Sequence, residues 1–122
     1  MNKYIETKKD DRGEVAMLFD LNEKGEVIFL SIYSGKIRGN HYHKEKRELF
    51  CVVEGNAKFR IRNVKTGESK EYELSGDKLE IIEILPWWTH SVENVGKSDV
   101  KCIEWGNKPY NSISPDSFAE IV

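Results

Sequence analysis

Apolar and polar residues alternate with a period of two along most of this chain. The clearest case is residues 57–63, where Ala57, Phe59 and Ile61 face one way and Lys58, Arg60 and Arg62 the other. That is a strand with one face on a core and one in water. Comparable short runs occupy residues 14–19, 39–43, 49–53, 70–74, 79–85, 90–94 and 100–105. Residues 27–33 are apolar on both faces, the pattern of a buried central strand. Polar turns, most of them containing glycine, separate these runs, among them Asp10-Asp11-Arg12-Gly13, Asn22-Glu23-Lys24-Gly25 and Lys65-Thr66-Gly67-Glu68. No long amphipathic helix is encoded. The tail from Asn107 is irregular, with Pro109 and Pro115, and residues 117–121 predict one short helical turn. The whole pattern predicts an all-β sandwich or barrel.

Composition narrows the partners. At 122 residues the chain predicts one domain, 1–122, large enough for one packed core. The net charge is −2, with both signs interspersed, so the basic excess of a nucleic-acid binder is missing. No apolar run approaches the ~20 residues that span a bilayer. The N-terminus has no apolar core of a signal peptide, and a cytoplasmic location is expected. Cys51 and Cys102 sit in apolar strand-like runs without metal spacing, as reduced, packed thiols would.

The chemistry concentrates in residues 35–55. His41 and His43 are two apart in an extended segment, so their imidazoles share one face. Glu48 follows a charged turn, residues 44–47, and can fold back beside them. The remaining histidine, His90, lies in the later segment Pro86-Trp87-Trp88-Thr89-His90. Three imidazoles and a carboxylate form a sufficient ligand set for a divalent transition metal, with positions left for water or substrate. Such a set suits zinc, iron, nickel, copper or manganese.

The spacing Gly35-x5-His41-x-His43-x4-Glu48-x6-Gly55 resembles the first motif of the cupins. Gly76, Pro86, His90 and Asn94 resemble the second, with Trp87-Trp88 standing where cupins usually place a glycine. The resemblance implies a cupin jelly roll (a double-stranded β-helix) with His41, His43, Glu48 and His90 as metal ligands. Small cupins commonly pair through their sheets, so it also implies a homodimer, with Trp87 and Trp88 either at that interface or stacked on a sugar or base ring.

Finer segments are similar to two enzyme groups. Asp10-x-Arg12-Gly13 and Arg38-Gly39-x-His41-Tyr42 resemble sugar-nucleotide 3,5-epimerases of the dehydrorhamnose type. Arg38-Gly39-Asn40-His41-Tyr42-His43, Thr89-His90-x-x-Glu93-Asn94 and Pro115-Asp116-Ser117-Phe118 are similar to the C-terminal cupin domain of bifunctional capsule-polysaccharide enzymes. This resemblance implies epimerisation of a 4-keto UDP- or dTDP-sugar at C3 and a bound metal, zinc first, with nickel, iron and manganese as alternatives. Arg12 and Arg38 would grip the diphosphate; Asn40 and Trp88 would contact the substrate. If the metal takes all three histidines, Tyr42, Lys44, Lys46 or a metal-bound hydroxide is the base. In a metal-free site it is His41. Two alternatives share the ligand set: a non-catalytic nucleotide-sugar or small-molecule binder, and a metal-dependent oxygenase or decarboxylase.

Overall fold

Strand alternation becomes two facing antiparallel sheets in a computed structural model that describes residues 1–122. The strands are β1 (Lys8–Asp10), β2 (Gly13–Asp20), β3 (Glu26–Ile32), β4 (Ile37–Tyr42), β5 (Glu48–Glu54), β6 (Asn56–Asn63), β7 (Ser69–Ser75), β8 (Ile81–Ile84), β9 (Trp88–Asn94), β10 (Val100–Gly106) and β11 (Phe118–Ala119). One sheet has the order β1-β2-β3-β10-β5-β8 and the other β11-β4-β9-β6-β7. From β3 onward every connection except the β6–β7 hairpin crosses between the sheets, which is the all-β jelly roll that the alternation and the cupin motifs predict. No helix is long and apolar enough to cross a membrane.

The inward face changes character along the strands. Val100 lies opposite Ile32, and Cys102 lies between Leu30 and Val52; all five are buried. Around them Phe59, Ile61, Ile84 and Val92 complete one apolar core. Further along β10 the inward positions turn polar: Glu104 is buried, and beyond it Gly106 stands between the buried Glu26 and Glu48 of the two neighbouring strands. Half of the barrel is therefore packed with hydrocarbon, and half is a cavity lined by titratable groups. At the apolar end, buried Asn94 ties three segments together. Its amide donates to the Ile32 and Ser98 carbonyls (both 2.8 Å), and its carbonyl accepts from the Gly96 amide.

Three elements differ from the sequence expectation. Residues 117–121 form no helical turn: Phe118 and Ala119 pair with Tyr42 and His41 as β11. The free edge of β4 offers unpaired backbone groups, and the tail satisfies them. Lys8–Asp10, too polar to show a core pattern, pairs along β2 as an exposed edge strand. Strand β3 is central in its sheet as expected, but Val27 and Phe29 are only half-buried, because nothing in this chain covers the sheet's outer face.

Candidate metal centre

The four expected ligands converge from three neighbouring strands. His41 on β4 lies directly opposite His90 on β9, with ring centroids 4.8 Å apart. His43 follows one residue beyond the end of β4, and Glu48 opens β5 after the charged turn has reversed the chain. One ligand atom from each of the four lies within 4.8 Å of the others. Glu48 Oε1 is 2.9 Å from His43 Nε2 and 3.2 Å from His90 Nε2.

A β-bulge explains how this strand serves two purposes. Gly39 pairs with Ser91 and His41 with His90, which leaves Asn40 as the extra residue, at φ 59°. In a regular strand Arg38 and His41 would face opposite sides. The inserted residue shifts the phase, so that both lie opposite inward-facing β9 residues, Val92 and His90, and both line the cavity. Gly39 permits the crossing, because a Cβ there would fall 2.6 Å from the His90 carbonyl oxygen.

The imidazoles are held for ligation. His90 Nδ1 lies 3.1 Å from the Trp88 carbonyl, and His43 Nδ1 is hydrogen-bonded to the Asp116 carbonyl. A protonated Nδ1 donating to a carbonyl leaves the Nε2 lone pair aimed at the cluster, the arrangement typical of metal-bound histidine. His43 Nε2 and Glu48 Oε1, although close, are not aligned as donor and acceptor, and both are buried without a hydrogen-bond partner. Orphaned buried polar atoms are costly. A divalent ion satisfies both at once, so the residues present fit a metal.

At His41, electrostatics favours the same state. Burial, followed by the neighbouring imidazoles of His90 and His43, pushes His41 down to about 4, so it is neutral and free to ligate near pH 7. Burial opposes the charge on Glu48, but the Glu104 carboxyl and the adjacent imidazoles of His43 and His90 hold its carboxyl well below the ordinary range. Burial and the charge of Glu48 drive Glu104 the other way, so the proton of this pair resides on Glu104. Beside them Lys46 Nζ lies 3.5 Å from Glu26 Oε1. Its stem crosses Gly106, where a Cβ would stand 2.9 Å from Lys46 Cε.

Above the cluster opens a cavity of about 830 Å³. Arg12 and Arg38 line one wall, with Asp10 between their guanidinium groups at 2.7 and 3.4 Å. The Arg38 Nε also donates to the Ser31 carbonyl, and burial lowers the pKa of this guanidinium. Hydrogen bonds from Arg12 hold Asp10 at about 2. The tail supplies the opposite wall, including Lys108, Tyr110 and Asn111.

Four sequence candidates lie elsewhere. Tyr42 falls between His41 and His43 in an alternating strand and so points outward, where its ring stacks between Trp87 and Phe118 at 5.8 and 5.4 Å. Lys44 lies outside as well, with Nζ 4.2 Å from the Phe118 ring centre. The Asn40 side chain accepts from the Val122 amide, and its backbone carbonyl accepts from Glu120. Trp88 packs against the core from a shallow pocket shared with Ile61 and Leu85. Trp87 likewise stays off the cavity wall. Trp87 adopts φ 72°, the left-handed conformation for which cupins place glycine here. Its amide donates to the His43 carbonyl, and Lys65 Nζ sits 3.9 Å over its ring.

A family model for the polysaccharide biosynthesis C-terminal domain matches residues 8–118. The chain belongs to this family. A curated relative, UDP-2-acetamido-2,6-beta-L-arabino-hexul-4-ose reductase of Pseudomonas aeruginosa, is 37% identical over 110 residues, 90% of this chain and 30% of that protein. The capsular polysaccharide assembling protein CapF of Staphylococcus aureus superposes with a TM-score of 0.95 at 35% identity, over 99% of this chain and 33% of that chain. The chain thus spans about a third of the length of these relatives. Oxalate decarboxylase of Lactobacillus farciminis, 18% identical with a TM-score of 0.74 over 94% of this chain and 33% of that one, shares the cupin fold. The family's link to polysaccharide biosynthesis agrees with the capsule-enzyme resemblance of the site segments.

Proposed function

We propose that this domain holds a divalent transition metal, zinc foremost, on His41, His43, Glu48 and His90, and epimerises a 4-keto nucleotide sugar at C3 for polysaccharide assembly. The observation that carries the metal assignment is the pair of buried, partnerless atoms, His43 Nε2 and Glu48 Oε1, within a cluster of four ligand atoms. The cavity above them is of small-molecule size. Its cationic wall, Arg12 and Arg38, matches a diphosphate. The P. aeruginosa relative is named as the reductase of a UDP-linked hexul-4-ose, which supports a 4-keto nucleotide sugar as the substrate class proposed here.

A bound divalent ion would polarise the C4 carbonyl and so acidify the C3 proton. Arg12 and Arg38 would orient the diphosphate so that the ketone faces the histidine cluster. With Tyr42 and Lys44 pointing outward, the cavity residues able to move the proton include Lys46, Lys108 and Tyr110. A base on one sugar face removes it and an acid on the other returns it.

Elemental analysis of untagged protein tests the metal, and incubation with a 4-keto UDP-sugar in heavy water tests the chemistry. Deuterium at C3 is expected. Metal uptake with UDP-sugar binding but no wash-in would leave a non-catalytic binder; redox-active metal with oxygen uptake would favour the oxygenase assignment. CapF has been crystallised with the inhibitor 3-isopropenyl-tropolone. A tropolone is a bidentate oxygen chelator, and we expect it to bind this domain only when metal is loaded. On the same reading the domain forms a homodimer through the uncovered outer face of the β3 sheet.

A further inference from the structure

The Pro115-Asp116-Ser117-Phe118 segment lines the cavity and enters β11, and Asp116 makes further contacts of its own. The Asp116 carboxylate accepts three consecutive backbone amides of the turn between His43 and Glu48: Lys44 at 2.8 Å, Glu45 at 2.8 Å and Lys46 at 3.0 Å. The carbonyl of the same residue bonds His43 Nδ1. Two residues later β11 begins, and Ala119 stands opposite His41. The tail is then tied down by Thr89 on the Glu120 carbonyl and by Arg62 on Glu120 and the Ile121 carbonyl.

An aspartate capping an exposed turn needs only its side chain. Here the side chain grips the loop joining two ligands while the backbone of the same residue bonds the ring of one of them. We infer that Asp116 is a positioning residue for the metal centre: its carboxylate locks the 44–46 turn, and its carbonyl thereby sets the tautomer and ring orientation of His43. Partners that orient a ligating imidazole in this way commonly change metal affinity 10–100-fold when lost. The loop between the ligands and the tail lining the cavity thus become one unit, although His43 and Asp116 are 73 residues apart.

This inference rests on the metal assignment above, and cobalt separates the two. Metal-free full chain is titrated with Co(II), reading affinity and the visible ligand-field bands, for wild type, Asp116→Ala, Asp116→Asn and Arg62→Ala. Asp116→Ala should weaken cobalt binding 10–100-fold and alter the band shape. Asp116→Asn, which keeps one acceptor oxygen, should fall between it and wild type, and it carries the test if the alanine variant does not fold. Arg62→Ala loosens only the far end of the tail and should bind cobalt within about twofold of wild type even if its melting temperature drops. Wild-type affinity and bands in both Asp116 variants would overturn the positioning role alone, as would an equal loss in Arg62→Ala. A folded wild type that takes up no cobalt would overturn the metal assignment and this inference with it.

Discussion

His43 Nε2 lies 2.9 Å from Glu48 Oε1, and both atoms are buried with no hydrogen-bond partner. The two atoms stand close enough to share one divalent ion as ligands, and neither has its hydrogen-bonding capacity used without it. Metal should therefore stabilise the fold. At a free metal concentration 100 times Kd the gain is about 2.7 kcal/mol, a rise of roughly 10 °C in Tm for a chain of this size. Thermal unfolding with and without a chelator measures it. Glu48→Gln should remove most of the metal-dependent shift; an unchanged melting curve on chelation would sink the assignment.

In metal-free protein the histidines should titrate far apart. Burial carries His41 from 6.5 to about 4, below its value in the unfolded chain. As pH falls the unfolded chain takes the proton first, so the contribution of His41 is complete above about pH 6.5. It is lost between 6.5 and 4, at most about 3 kcal/mol. His43 has the opposite sign. Burial opposes its charge, but Glu48 outweighs burial and raises it, so its contribution is present at low pH and fades as pH rises through the folded value. Imidazole NMR titration separates the two. A His41 midpoint near 6.5 would contradict its burial.

The Arg38 side chain is only 11% exposed, fixed on the Ser31 carbonyl at one wall of the cavity. Removing a charge-assisted contact costs roughly 1.5–3 kcal/mol. Arg38→Ala should therefore weaken UDP binding about 10–100-fold by calorimetry while leaving metal content intact. Arg38→Lys should recover little of it, since an ammonium lacks the planar fork. Full UDP affinity in Arg38→Ala would remove this wall from the diphosphate site.

Trp87 inverts the usual ranking of small residues. Its φ of 72° costs a side chain about 1 kcal/mol that glycine does not bear. Its ring also stacks on Tyr42 and lies under Lys65. Trp87→Gly loses the ring but relieves the backbone, for a net cost of about 1 kcal/mol. Trp87→Ala loses the ring and keeps the strain, and should cost about 2 kcal/mol. Denaturant midpoints decide the order; an alanine variant more stable than the glycine variant would rule this account out.

The barrel and the convergence of His41, His43, Glu48 and His90 were legible in the sequence. Period-two alternation places Ala57, Phe59 and Ile61 on a buried face whatever the strand pairs with, and an extended His-x-His must present both rings to one side. The same rule runs against Tyr42 as the base expected from the sequence, since its position between two inward histidines turns it outward. Chain order alone, however, offered no partner for Asn40, Trp88 or Asp116.

What the sequence by itself determined is periodic and local: strands, turns, the shared face of His41 and His43, and the charged turn that returns Glu48. What only the tertiary structure decided depends on a phase shift and on distant contacts. The single-residue bulge at Asn40 brings Arg38 and His41 to one cavity, because a slip of one residue exchanges the faces of a strand. The tail pairs with β4 because an open strand edge leaves backbone groups to satisfy, and this carries Asp116 to His43. Periodicity sees neither, because both arise from which strand lies beside which.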